Sequence, residues 1–142
     1  MKTILMNNRI FSMLMLAFIT LSLVSCDKED DVVKPTFKQE LTGTWDISSY
    51  KLEGSEYIGV LVEKASISFD AYTGPKGQFQ QEVTFFGEEA ATLDGSYVAD
   101  ETKREVTMDY EGDYITAKVT ITNGKQMLFE AGNFLVIVAT KR

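Results

Sequence analysis

The stretch ITAKVTITNGKQMLFEAGNFLVIVAT, residues 115–140, carries the clearest fold signal in the sequence. Apolar and polar residues alternate before Asn123-Gly124, and two further apolar-rich segments follow at residues 125–130 and 133–140. Such alternation is typical of β-strands with one buried face. Asn-Gly is a strong hairpin signal because both central residues of a type I′ turn need positive φ. The stretch therefore predicts three antiparallel strands joined by tight turns.

Alternation continues upstream and predicts five more strands. In the first, one face is predicted to carry Trp45, Ile47 and Ser49 and the other Asp46, Ser48 and Tyr50. Similar patterns cover residues 66–70, 79–85, 93–97 and 105–110. Eight strands in a meander can close on themselves, which removes exposed edges. We therefore predict an all-β fold, a single antiparallel up-and-down eight-stranded β-barrel, with a two-sheet sandwich as the alternative.

One connection is longer than a hairpin turn. It spans residues 53–63 and carries an apolar stretch that alternation does not explain. Two interpretations are open, an extra strand or a lid over one barrel mouth. We favour the lid because long connections are often functional. The segment from Tyr57 to Val62 is then predicted to lie over one mouth, with Trp45 buried near the other end.

The residues before the barrel predict export from the cytoplasm. Lys2 and Arg9 precede an uncharged apolar run at residues 10–24, which is shorter than the ~20 residues that a membrane-spanning helix needs. A basic start, a short apolar run and small residues at its end are typical of a secretory signal peptide, which we place at residues 1–25. The alternative, a core helix, would normally show a polar face.

Cys26 is the only cysteine, and it follows Leu23-Val24-Ser25. This tetrapeptide resembles the lipobox of bacterial lipoproteins. The resemblance implies cleavage before Cys26, diacylation of its sulfur and usually acylation of the new amino terminus. A thiol consumed as a thioether needs no disulfide partner in an oxidising envelope. Two or more acyl chains anchor a protein stably, because each buried methylene contributes ~0.8 kcal/mol.

The acidic run after the cysteine predicts a solvated tether, because it cannot bury apolar surface. We place the tether at residues 26–38 and the barrel domain at residues 39–142. Four residues of the run also resemble the export signal of surface lipoproteins in Bacteroidota-type bacteria: Lys28, Glu29, Asp30 and Asp31. That resemblance implies a protein of the outer membrane, lipid-anchored and facing the cell surface.

Charge and composition argue against several classes of function. Without residues 1–25 the chain keeps 12 basic and 21 acidic residues, a formal charge of −9, and so lacks the basic surface that nucleic acid requires. It has no histidine, which removes histidine-based catalysis and histidine metal sites. Carboxylate pairs stay open as catalysts, although most acids fall on outward positions. We predict a protein that is not an enzyme and holds no cofactor.

One acidic turn carries candidate ligands for a metal ion. Asp109, Glu111 and Asp113 surround Gly112 and carry oxygen atoms of the kind that Ca²⁺ prefers. Their spacing lacks the EF-hand pattern, and a solvated hairpin turn is the simpler interpretation. We therefore predict no metal site.

The opening of the first strand, Gly43-Thr44-Trp45, carries a family resemblance. With seven strands after it, the chain resembles the lipocalin-like (calycin) group, especially the small lipocalin-like lipoproteins of Bacteroidota. The resemblance implies an indole at the closed end of the barrel and a basic residue near the chain end packing across it. Lys141 or Arg142 could supply that residue, and we assign Arg142. The domain is shorter than a typical secreted lipocalin, lacks a clear C-terminal helix and has no disulfide.

The barrel interior decides between two functions. An eight-stranded barrel is just wide enough to be filled by side chains or to hold one small ligand. The predicted inward residues are bulky: Trp45, Ile67, Phe69, Phe79, Phe85, Tyr97, Met108 and Ile121. They favour a largely filled barrel, which would suit a structural or interaction subunit of an outer-membrane assembly. We nevertheless predict a binding module for a small apolar or amphipathic ligand, with a pocket lined by Phe69, Val83, Phe85, Met108, Tyr57 and Leu61, and keep the non-catalytic subunit with a filled barrel as the alternative.

Overall fold

The computed structural model describes residues 33–142, in which one short helix precedes nine strands. In chain order the elements are α1 (Phe37–Leu41), β1 (Gly43–Leu52), β2 (Ser55–Glu56), β3 (Val62–Phe69), β4 (Gly77–Phe85), β5 (Ala91–Asp100), β6 (Glu105–Tyr110), β7 (Asp113–Thr122), β8 (Gln126–Ala131) and β9 (Leu135–Lys141). The predicted signal peptide, Cys26 and the export motif of Lys28, Glu29, Asp30 and Asp31 lie outside the described residues. Within residues 33–142, no helix is long and apolar enough to cross a membrane.

The strands form one closed antiparallel barrel. Each long strand pairs with the next along the chain, and β1 also pairs with β9, which closes the sheet. The two-residue strand β2 adds to β1 at the rim and is the extra, ninth strand. This confirms the predicted eight-stranded up-and-down barrel over the two-sheet sandwich.

Strand alternation places the core inside the barrel. On β7 the inward residues Ala117 and Val119 are buried, whereas their outward neighbours are exposed. Asn123 and Gly124 have φ of 54° and 64°, the pair of positive angles that a type I′ turn requires. The hairpin predicted between β7 and β8 therefore forms as the sequence indicates.

The helix α1 covers one end of the barrel, which we call the closed end. Phe37 and Leu41 are buried in the same core cluster as Trp45, and the Trp45 indole N–H donates a 2.7 Å hydrogen bond to the Leu41 carbonyl. The opposite end, the mouth, carries the connection from β1 to β3 and the turns after β4, β6 and β8. The two ends are therefore built differently, and within residues 33–142 only the closed end has a helix packed onto it.

Ordered structure begins before residue 39, the predicted start of the domain. Thr36 and Gln39 form a capping box, in which each side chain accepts a hydrogen bond from the backbone N–H of the other. The Glu101 carboxylate accepts two more from the backbone N–H groups of Phe37 and Lys38. Thr-x-x-Gln is the sequence signature of such a box. Residues 36–38 thus belong to the closed end and not to the tether.

The long connection contains both features that the sequence left open. Ser55 and Glu56 form the strand β2, paired with the last two residues of β1. Residues 57–61 then turn over the mouth, where the backbone N–H groups of Val60, Leu61 and Val62 contact the carbonyl of Tyr57. The connection is therefore a short hairpin followed by a compact turn.

Candidate functional site

An apolar pocket of about 240 Å³ lies at the mouth, and we call it the mouth pocket. Its apolar wall comes from β1, the connection, β3 and β4: Leu52, Ile58, Val62, Ala65, Val83 and Phe85. Three polar side chains complete it, those of Tyr50, Tyr57 and Gln81. An apolar cavity of ~150 Å³ is enough to bind benzene, so the mouth pocket has room for one small molecule.

Below the mouth pocket the barrel is filled. The remaining cavity measures about 40 Å³, too small for an organic ligand. Aromatic rings pack edge to face around it, with centroid distances of 5.0 Å between Phe69 and Tyr97 and 4.8 Å between Phe79 and Tyr110. The inward aromatic residues therefore fill much of the interior, as their bulk suggests, and the mouth pocket is the larger of these two cavities.

The structure divides the six residues that the sequence suggested for a pocket. Three of them line the mouth pocket: Tyr57, Val83 and Phe85. Phe69 and Met108 lie deeper, around the small cavity. Leu61 does not point inward, because it lies on the outer side of the turn with 55 % of its surface exposed.

Tyr50 is a pocket residue that strict alternation assigns to the wrong face. Between Ile47 and Ser49 the pairing of β1 with β9 shifts by one residue, so Ser48 is an extra, bulged residue. One inserted residue turns every later side chain to the opposite face. The apolar spacing contains the signal, since Trp45 and Ile47 are two apart whereas Ile47 and Tyr50 are three apart.

The Glu56 carboxylate holds the connection in place above the pocket. It accepts hydrogen bonds from the Ser49 hydroxyl and from the backbone N–H groups of Tyr50, Tyr57 and Ile58, the last three at 2.8, 3.1 and 3.0 Å. Burial acts to raise the pKa of Glu56, but these hydrogen bonds outweigh it and lower the pKa below its ordinary value. The charged form therefore fixes Tyr57 and Ile58 at the pocket wall.

The mouth is open on one side. β5 begins at Ala91, but its pairing with β6 starts only at Ser96. Leu93 is the cross-strand partner of Gln81 and so faces inward, yet 43 % of its surface is exposed. The first residues of β5 are thus unpaired on the side of β6, and the exposed Leu93 lies opposite Gln81.

Lys141, and not Arg142, packs across the indole at the closed end. The Lys141 ammonium lies 5.2 Å from the Trp45 ring centroid and donates a 3.0 Å hydrogen bond to the Glu40 carbonyl. Trp45 and Lys141 are cross-strand partners and share the inner face. Arg142 falls on the outer face, where it pairs with Asp46. This corrects the assignment of Arg142 to the barrel signature.

Glycine is favoured at position 43 by its backbone angle and by the position of the Lys141 side chain. Its φ of +123° is unfavourable for any other residue, and an added Cβ would lie 2.9 Å from Lys141 Cε. The glycine of the Gly-x-Trp motif therefore makes room for the lysine that covers Trp45.

The acidic turn between β6 and β7 closes on itself. The Asp109 carboxylate accepts a 3.0 Å hydrogen bond from the Gly112 N–H, and Lys76 lies 3.9 Å from the same side chain. Among residues 33–142, no group of three His, Cys, Asp or Glu side chains is placed to hold a metal ion.

Comparisons with known proteins describe the fold. No protein-family model matches the chain, and no curated protein matches it in sequence. A redesigned β-barrel is similar in structure, with a TM-score of 0.50 and 13 % identity over 77 % of this chain and 96 % of that one. Two mutants of the fluorescent protein UnaG have TM-scores of 0.45 and 0.44 and identities of 11 % and 12 %, each covering 73 % of this chain and 96 % of its own. The chain therefore has the fold of a closed eight-stranded antiparallel β-barrel with one extra strand.

Proposed function

We propose that this chain is a cell-envelope lipoprotein whose barrel binds one small apolar or amphipathic molecule in the mouth pocket, without catalysis. The observation that carries the proposal is the pocket itself, about 240 Å³ in volume, with an apolar wall and three polar side chains. An apolar concavity with a few convergent polar groups is the usual form of a small-molecule site. Burial of ligand surface there would contribute roughly 25 cal/mol per Å² of apolar area.

Two further features support binding at the mouth. Phe85 lines the pocket while 40 % of its surface is exposed, so a ligand would cover apolar surface that water now contacts. The hydrogen bonds to Glu56 order the turn above the pocket before any ligand arrives. A preformed site loses less conformational entropy on binding than a site that must first fold.

The lipoprotein part of the proposal rests on the sequence. The lipobox-like tetrapeptide ending at Cys26 and the acidic motif after it support a lipid anchor in the outer membrane and display at the cell surface. Cys26→Ala should abolish incorporation of labelled palmitate. Label that persists in the variant would contradict the anchor and leave the pocket untouched.

Ligand binding is tested with an environment-sensitive apolar fluorophore and a pair of matched substitutions. Val83→Phe adds a ring inside the mouth pocket, whereas Val98→Phe adds the same ring on β5 at a site 44 % exposed to solvent. In the unacylated chain from residue 26, with Cys26→Ala, we expect Val83→Phe to weaken fluorophore binding at least tenfold. Val98→Phe should bind as the parent does. Equal affinity of all three folded proteins, or no binding by any, would contradict a mouth-pocket site.

A second candidate function is a non-catalytic interaction subunit of an outer-membrane surface assembly. It is favoured by an exposed apolar cluster outside the mouth, formed by Val60, Leu61 and Phe86, which are 64, 55 and 54 % exposed. Exposed apolar clusters are typical of surfaces that contact other molecules. A protein that copurifies after gentle detergent extraction and is lost on Leu61→Asp would support this second candidate.

A further inference from the structure

The two cavities of the barrel share two polar side chains. Gln81 and Tyr50 line both the mouth pocket and the small cavity beneath it. The Tyr110 hydroxyl lies 3.4 Å from one end of the Gln81 amide. Because an amide has both a donor and an acceptor end, the other end of Gln81 stays available to a molecule in the pocket. Gln81 therefore forms a polar floor beneath an apolar wall.

The cavity walls carry no charge. Of the described residues that line either cavity, none is acidic or basic, and the polar ones are tyrosines and Gln81. An ion moved into such a site loses its hydration without gaining an opposite charge, whereas a neutral hydroxyl or amide needs only a hydrogen-bond partner. Burial raises the pKa of Tyr110 to about 12 and also raises the pKa of Tyr50. The interior thus disfavours negative charge on its own side chains.

We propose that the mouth pocket selects neutral amphipathic molecules, with a hydroxyl or amide on a short apolar chain or ring, over the corresponding carboxylates. The neutral head group bonds to Gln81 and Tyr50 at the floor, and the apolar part lies against Ile58, Val83 and Phe85. The exposed Leu93 is the cross-strand partner of Gln81 and so lies beside the same floor. This selectivity rests on the proposed ligand-binding function and names the class of ligand.

The selectivity is tested with two ligands that differ only in the head group. Octanol and octanoate are each titrated as competitors of the fluorophore bound to the unacylated chain. The titrations are done at pH 7, where octanoate is charged. We expect octanol to displace the fluorophore at a concentration at least tenfold lower. The acidic surface also repels octanoate from a distance, and 0.5 M salt screens that repulsion but not the loss of hydration inside the pocket. The preference for octanol should therefore persist at 0.5 M salt.

Neighbouring glutamines on β4 provide a matched pair of variants. Gln81→Leu removes the polar floor, whereas Gln80→Leu changes an exposed, outward side chain that bonds to Asp94 at 2.9 Å. We expect Gln81→Leu to weaken octanol binding about threefold to tenfold, the effect of one lost hydrogen bond. Gln80→Leu should leave octanol binding unchanged. Circular dichroism melts establish that both variants are folded.

Each outcome separates the inference from the function on which it rests. If octanoate binds as well as octanol, or the preference disappears at 0.5 M salt, the selectivity is overturned while ligand binding stands. Equal octanol binding by the folded Gln81→Leu and Gln80→Leu variants would overturn the role of Gln81. The proposed function itself fails if neither octanol nor octanoate displaces the fluorophore from the folded barrel, or if the fluorophore itself does not bind.

Discussion

Individual residues at the closed end explain the structural role of the Gly43-Thr44-Trp45 motif. Gly43 provides the space in which Lys141 reaches over Trp45, and Lys141 ties that contact to α1 through the Glu40 carbonyl. A cation over an indole face contributes about 0.5–1 kcal/mol at an exposed site and more when desolvated. Lys141 covers the indole and Arg142 does not, because successive residues of a strand point to opposite faces. Lys141 is the cross-strand partner of Trp45 and so shares its face.

Gly43→Ala should separate backbone strain from crowding when it is compared with Gly112→Ala. Both glycines have φ above 100°, but an added Cβ has a neighbour within 4 Å only at Gly43. We expect each variant to lose about 1 kcal/mol of unfolding free energy because of the backbone angle. Only Gly43→Ala should shift the tryptophan emission, because Lys141 must leave the ring of Trp45, the sole tryptophan. An identical emission spectrum in Gly43→Ala and the parent would show that the lysine does not cover the indole.

At the scale of elements, alternation predicted the strands and missed their interruptions. The hairpin of β7 and β8 was predictable because Asn123-Gly124 demands positive φ. The bulge at Ser48 was missed because a one-residue shift is invisible to a rule of period two, although the three-residue spacing from Ile47 to Tyr50 marks it. Helix α1 was not predicted because a single helical turn shows no hydrophobic periodicity. Its only sequence signal is the capping box formed by Thr36 and Gln39.

Glu56 makes the connection over the mouth sensitive to pH. Its folded-state pKa lies below the ordinary value of 4.5, so the carboxylate stabilises the fold above that pH and the contribution is lost as pH falls through the folded-state pKa. We expect Glu56→Gln to lose about 1 kcal/mol of unfolding free energy at pH 7 and to bind the apolar fluorophore more weakly. The stability difference from the parent should shrink as the solution is acidified.

Glu53→Gln is the matched control, an exposed glutamate on the same connection. Urea unfolding at pH 7 and at pH 3 compares the three proteins. A Glu56→Gln variant that is as stable as Glu53→Gln at pH 7 would contradict the role of Glu56 in holding the connection, as would a stability difference between parent and Glu56→Gln that grows on acidification.

At the scale of the whole molecule, the barrel is closed at one end and open at the other. Helix α1, the Glu101 carboxylate and the ion pair of Arg104 with Glu40 at 2.8 Å secure the closed end. The mouth has a short hairpin, an exposed Leu93 on the incompletely paired start of β5 and an apolar pocket. Close packing at one end and open space at the other are compatible with the ligand-binding function proposed above.

The pocket was only partly predictable from the sequence. Inward bulk showed that the interior would be filled, and the apolar connection indicated which end would differ. The sequence pattern assigned the side chains of Tyr50 and Leu61 to the wrong face. The orientation of Tyr50 depends on a bulge and that of Leu61 on the path of a turn, and neither feature has a periodic signal. The volume that remains at the mouth depends on how all these side chains pack together, which no local pattern encodes.

Nuclear magnetic resonance titration of the unacylated, ¹⁵N-labelled chain with octanol tests the central claim most directly. Binding in the mouth pocket predicts saturable shifts of the amides of Ile58, Gln81 and Val83 at one-to-one stoichiometry. The amides of Phe37 and Trp45 at the closed end should stay unshifted. A titration without saturable shifts, or with shifts confined to Val60, Leu61 and Phe86 outside the mouth, would contradict a ligand-binding barrel.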